Sequence, residues 1–193
     1  SSGAMVGIRK KMDVLGVIVM AVMTAVGGGI IRDLVLGIHP PNTFKNPIYV
    51  EYSVLTAVIL FIVFYIKKQM LDSKALFYYE KIMILLDAIG LGAFTVIGVE
   101  TAYEVGYVHH RFLLLFVGVI TGVGGGMIRD MMAQQIPFIL VKQIYACASL
   151  IGAGVCIWLM PYHKSASMIL GAVVVVIIRI LAATYRWDLP KID

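Results

Sequence analysis

The sequence predicts an all-α membrane protein made of two inverted three-helix repeats and one further helix. Three observations predict it. Hydrophobic residues make up 61% of the 193-residue chain and charged residues 14%, against about 25% charged in a soluble domain; the mean hydropathy is +0.94. The apolar residues fall in runs of roughly 20, the length a helix needs to cross a hydrocarbon core. One motif also occurs twice, 97 residues apart: Gly27-Gly28-Gly29-Ile30-Ile31-Arg32-Asp33 and Gly124-Gly125-Gly126-Met127-Ile128-Arg129-Asp130.

Residues 1–8 are apolar but too short to span, and they run straight into Arg9-Lys10-Lys11. A signal peptide carries its charges before the apolar stretch. The segment therefore reads as the last turns of a helix whose beginning is missing. Complete spans are expected at Val14–Ile38, stopped by Pro40-Pro41, and at Ile48–Ile66, stopped by Lys67-Lys68. The next is Ile82–Val99, which carries Asp87 in its first half. Phe112–Ile136 is closed by Pro137, Ile144–Met160 is rich in small residues, and Met168–Thr184 contains Arg179.

The order repeats. A span with a central glycine triplet is followed by proline, then by a tyrosine-bearing entry (Tyr49; Tyr145), then by another span. Residues 1–66 form the first repeat, 80–160 the second, and 165–186 the extra helix. Because three is odd, the second repeat must enter from the opposite face, an arrangement typical of transport proteins. Counting Lys and Arg in alternate loops tests this topology. Arg9, Lys10, Lys11, Lys67, Lys68, Lys74, Lys81, Lys142, Arg186 and Lys191 fall on one side, and Lys45, Arg111 and Lys164 on the other. The C-terminus is thus expected in the cytoplasm, with Glu100, Glu104 and His109-His110 outside.

Glycine in a helix interior costs roughly 1 kcal/mol relative to alanine, so each triplet marks either a break or a close approach of backbones. As breaks, Gly27–Gly29 and Gly124–Gly126 would leave half-helices with unpaired N–H groups near mid-membrane, tolerated only where they are buried in protein or line a wet cavity. Arg32 and Arg129, one turn on, and Asp33 and Asp130 would then line a polar conduit. As packing devices, the glycines would let two helices cross closely, with Arg and Asp as fixed ion pairs. The triplet, the Arg-Asp pair and the inverted duplicate together favour the conduit. Asp87 is either a hydrogen-bonded helix-entry residue or a partner for a cation or arginine in that conduit. Thr24, Thr95 and Thr121 could line the path or satisfy their own helix backbone. Arg179 is expected to snorkel to the interface or meet lipid headgroups.

Other classes are excluded. Nothing interleaves aromatic and basic residues as nucleic-acid stacking requires, and Gly122-Val123-Gly124-Gly125-Gly126 lacks the strand a phosphate loop needs. No nucleophile-base arrangement suggests an enzyme. Cys147 and Cys156 read as buried thiols, and no cofactor or metal is expected.

The double Gly-Gly-Gly-x-x-Arg-Asp signature resembles that of the bacterial and archaeal relatives of trimeric intracellular cation (TRIC) channels. The entry Ser2-Gly3-Ala4-Met5-Val6-Gly7-Ile8-Arg9-Lys10-Lys11-Met12-Asp13-Val14-Leu15-Gly16 and the helix with Leu86-Asp87-Ala88-Ile89-Gly90-Leu91-Gly92-Ala93-Phe94 resemble it too. The likeness covers essentially the whole chain. The same family (UPF0126) is also labelled a glycine transporter family. The resemblance implies a seven-helix, multi-pass protein of the inner membrane, assembled as a homotrimer among membrane lipids. Each protomer would carry a pore for monovalent cations, chiefly potassium. The triplets would be its kinks, and Arg32, Asp33, Arg129 and Asp130 its pore or gate residues. Reading the residues alone leaves a carrier for a small zwitterion such as glycine as the alternative, with Arg32 or Arg129 holding a carboxylate and Asp33, Asp130 or Asp87 an ammonium.

Overall fold

In the computed structural model, residues 1–66, 74–141, 144–185 and 187 are described, and all the regular structure among them is helical. The order is α1 (Ser2–Arg9), α2 (Val14–Val35), α3 (Asn42–Lys45), α4 (Ile48–Ile66), α5 (Lys74–Glu104), α6 (Arg111–Met132), α7 (Phe138–Val141), α8 (Tyr145–Leu159) and α9 (Lys164–Tyr185). Among the described residues, five helices are long and apolar enough to cross a membrane. Of the residues in the charge count, Lys67, Lys68, Lys142, Arg186 and Lys191 lie outside the described ones.

The expected spans are present, with three differences. The span expected over Ile82–Val99 lies inside a 31-residue helix, Lys74–Glu104. The run expected over Ile144–Met160 is a 15-residue helix, only about 22 Å long at 1.5 Å per residue. The proline-rich connections after α2 and α6 are not plain loops: they contain the one-turn helices α3 and α7.

The repeat extends to the ends of the helices. At the end of α2, Gly37 takes φ +71°, its N–H donates to Leu34 O, and the Ile38 N–H donates to Asp33 O. This double bond through a left-handed residue caps the last carbonyls. At the end of α6, Gln134 takes φ +54°, with bonds from Gln134 N to Met131 O and from Gln135 N to Asp130 O. The same closure ends α1 at Lys11 and α5 at Gly106. Each half thus uses the same cap at matching positions, with glycine in one copy and a side-chain-bearing residue in the other.

Packing is likewise paired. Helix α2 packs on α1 and α4, α6 on α5 and α8, and α2 and α6 pack on each other. Helix α9 lies against α5 and α8, giving the second half a partner from outside the repeat. Ala4, Val17, Ala21 and Ala57 form the core of the first half, and Leu91, Val123, Tyr145, Ala148 and Val175 that of the second. Outward lie large apolar residues such as Leu15, Leu55, Ile62, Trp158 and Ile169. An apolar exterior of this extent is incompatible with water and suits lipid. The chain is a multi-pass membrane protein.

Candidate functional site

The glycine triplets do not break their helices. Both α2 and α6 run through them as continuous α-helix, so the half-helices with unpaired N–H groups expected from sequence are absent. The glycines instead form a crossing. A Cβ on Gly28 would run into the carbonyl oxygen of Thr121 and lie 3.2 Å from its carbon; a Cβ on Gly125 would run into the carbonyl oxygen of Thr24 and lie 3.2 Å from its carbon. Contact of Gly28 with Thr121 and of Gly125 with Thr24 is the reciprocity a two-fold relation between the helices requires. Gly124 faces the Gly28 Cα, and Gly27 faces Ile128 Cδ1. The cost of glycine in both helices is offset by bringing their backbones together.

Beside the crossing opens a cavity of about 580 Å³. Each copy contributes matching residues to its wall: Thr24 and Thr121, Gly28 and Gly125, Gly29 and Gly126, Arg32 and Arg129. Asp87 from α5 and Tyr145 from α8 also line it. The structure thus brings eight of the sequence-predicted positions together with Asp87, while Gly27 and Gly124 face the helix contact instead.

Asp33 and Asp130 are not on the wall. Asp33 is fully buried; its Oδ1 accepts from Arg32 Nε at 2.8 Å, and its Oδ2 from the Asn42 N–H at 2.7 Å. Asp130 repeats this, its Oδ1 accepting from Arg129 Nε at 2.8 Å and its Oδ2 from the Phe138 N–H at 2.8 Å. Asn42 and Phe138 begin α3 and α7, so each carboxylate joins its arginine to the first turn of the helix that follows. Their expected role as pore groups is corrected: both oxygens of each are engaged inside the protein, where a carboxylate without such partners would be costly.

Thr24 and Thr121 line the cavity and also satisfy their own helices, donating to Met20 O and Val117 O at 2.6 Å. Each hydroxyl oxygen keeps lone pairs to accept with. Thr95 is not on the wall: it is fully buried and shares a 2.7 Å hydrogen bond with Ser149.

Arg179 departs most from expectation. It does not snorkel but is 2% exposed. Its guanidinium carbon lies 4.5 Å from the Tyr145 ring centroid, a cation–π geometry, and its Nη2 is 4.0 Å from Asp87 Oδ2. Asp87 therefore sits among Arg129, Arg179 and Tyr145, which selects the arginine-partner reading over that of a helix-entry residue. Sequence reasoning missed Tyr145 as a site residue, although its recurrence with Tyr49 at the same point of each repeat was visible. Toward the other end of α9, Lys164 Nζ pairs with Glu100 at 2.8 Å and with Glu104 at 2.5 Å, so α5 and α9 run antiparallel, joined by charge pairs at the middle and at the C-terminal end of α5. Among the described residues, no group of His, Cys, Asp and Glu could hold a metal ion.

A family model described as glycine transporter matches residues 1–65 and 84–161. The UPF0126 inner membrane protein YadS of Escherichia coli is 36% identical, across 98% of this chain and 88% of YadS. A solved structure described as the structural basis for conductance through TRIC cation channels superimposes with a TM-score of 0.86 at 36% identity, covering 100% of this chain and 90% of that one. The chain belongs to the TRIC/UPF0126 family. The TRIC trimeric intracellular cation channel orthologue from Rhodobacter sphaeroides is similarly close in fold, with a TM-score of 0.83 at 31% identity over 95% of this chain and 90% of that one. The solved structures that this TRIC/UPF0126 chain resembles are described as cation channels and the matching family model as a transporter, none of them an enzyme.

Proposed function

We propose that the chain is a TRIC-type channel for monovalent cations, chiefly potassium, with one pore in each protomer of a homotrimer. The observation that carries this reading is the cavity beside the crossing, to which each repeat brings the same threonine, glycines and arginine. Halves of opposite sense meeting at one chamber suit a path that must be reached from both faces of a membrane. The wall is suited to cations despite its two arginines. Each guanidinium is balanced by the aspartate next to it, while the oxygens of Thr24, Thr121 and Asp87 replace part of an ion's hydration, as selectivity filters do with oxygen rings. The excess of Lys and Arg in alternate loops supports a cytoplasmic C-terminus, and the apolar exterior supports contact with lipid and with sister protomers. No resident cofactor enters this reading.

The test is single-channel recording of purified protein in planar bilayers. Potassium currents are expected, and Asp87→Asn is expected to reduce them. Silence beside a conducting control channel would refute the proposal. A second reading has one observation in its favour: the chamber presents a carboxylate, Asp87, and guanidinium groups together, the two charges a zwitterion such as glycine would need. Saturable uptake of labelled glycine into proteoliposomes, without potassium current, would select it.

A further inference from the structure

We propose that Arg179 is a tethered counter-cation that competes with the permeant cation for Asp87 and so sets how strongly the cavity holds an ion. This rests on the channel reading of the cavity. Among the described residues, Asp87 is the one carboxylate on the cavity wall; Asp33 and Asp130 have both oxygens committed elsewhere. A cation entering from water therefore meets a single formal negative charge. Arg179 reaches that charge from behind. It belongs to α9, which supplies no residue to the wall, and its guanidinium is fixed in place over the Tyr145 ring.

The distance is informative. Arg179 Nη2 stands 4.0 Å from Asp87 Oδ2, whereas the two motif arginines hold their aspartates at 2.7 and 2.8 Å. Those short pairs are locked and satisfied. The longer one acts by Coulomb attraction, which falls only as the inverse of distance, and Asp87 remains 26% exposed. A mobile ion approaching from the cavity and the guanidinium behind the wall thus bear on the same carboxylate from different directions. Because α9 lies outside the duplicated unit, the first repeat has no counterpart of this charge, and the chamber is electrostatically one-sided although its glycine crossing is symmetric.

The experiment compares wild type, Arg179→Gln, Arg179→Lys, Asp87→Asn and Arg179→Gln/Asp87→Asn. Two readouts are used: the potassium dependence of single-channel current, and the potassium-dependent thermal stabilisation of purified protein, which needs no conduction. Arg179→Gln is expected to lower the half-saturating potassium concentration about tenfold in both. Arg179→Lys, which keeps the charge, stays near wild type, and the Asp87→Asn background abolishes the Gln effect. A role in packing alone would leave the potassium dependence where it was. The inference is overturned if Arg179→Gln leaves both readouts unchanged, or shifts them equally without Asp87. Should Arg179→Gln fail to fold, Asp87→Asn alone decides: retention of wild-type potassium dependence overturns the inference. A wild type that conducts nothing yet shows the predicted stabilisation pattern sinks the channel reading and leaves the Arg179–Asp87 competition standing.

Discussion

Replacing Gly125 by alanine separates the two roles a glycine triplet can play. In an unconstrained helix the change gains about 1 kcal/mol, because alanine is the better helix former. At Gly125 the new methyl would overlap the Thr24 carbonyl oxygen. That atom belongs to a hydrogen-bonded backbone and cannot rotate aside, so α2 and α6 must separate. Overpacking of this kind costs typically 1–3 kcal/mol, leaving a net loss of up to about 2 kcal/mol after the propensity gain. Gly28→Ala meets the Thr121 carbonyl in the same way and should cost the same. Once the helices have parted for the first methyl, the second meets less resistance, so the double variant should lose less than the sum of the two. Gly154 has nothing within 4 Å of its added Cβ, and Gly154→Ala serves as the internal control, expected to hold or gain stability. Thermal unfolding in detergent, followed by intrinsic fluorescence and by survival on gel filtration, provides the measurement. Were Gly125→Ala to stabilise the protein as Gly154→Ala does, the triplet would be a simple helix weakness and the close crossing would be refuted.

Three further outcomes follow from the same geometry. Gln134→Gly should raise stability by about 1 kcal/mol, since it removes a side chain from a left-handed backbone position; no rise in unfolding temperature would count against the cap described at the end of α6. Asp130→Ala strands the Arg129 guanidinium and the Phe138 N–H together, and breaking a buried pair costs about 3–5 kcal/mol, so folded yield should collapse while Asp130→Asn loses less. A double-mutant cycle on Thr95→Val and Ser149→Ala should return a coupling of about 0.6–1.7 kcal/mol, the range for hydrogen bonds between membrane helices; zero coupling would remove that bond from the account.

The spans were legible because crossing a bilayer imposes length and apolarity on every helix, and α2, α4, α6 and α9 follow that rule plainly. The duplicated motif was equally legible, and Gly28, Gly29 and Arg32 of one copy line one chamber with Gly125, Gly126 and Arg129 of the other. What it does there was not. Three glycines carry the same penalty whether they interrupt a helix or admit a neighbour, and the deciding fact, the Thr24 carbonyl lying where a Gly125 methyl would be, belongs to a residue 101 positions away. Asp33 and Asp130 look like free charges in the sequence because their partners include backbone N–H groups, which every residue has. Arg179 misled for a related reason: a cation near a helix end can reach water or turn inward, and the choice depended on Tyr145 and Asp87 from two other helices. The one-turn helices α3 and α7 are too short to show any periodicity; the proline just before each and the aspartate eight or nine residues earlier were their only trace.

A contact whose closest backbone approaches are a glycine of each helix on a carbonyl of the other works as a pivot. Sliding α2 by one turn would bring Thr24 or Arg32 to the place of Gly28, and neither side chain fits there; rotation about the contact point meets no such obstacle. The crossing itself therefore resists translation more than it resists scissoring. A pivot also gears the motion. Swinging α2 by about 10° moves Val14, about 21 Å away, by close to 4 Å, while Arg32, about 6 Å away, moves by only about 1 Å. The far ends of the helices can therefore shift by several ångströms while the Arg-Asp pairs beside the crossing stay nearly in place.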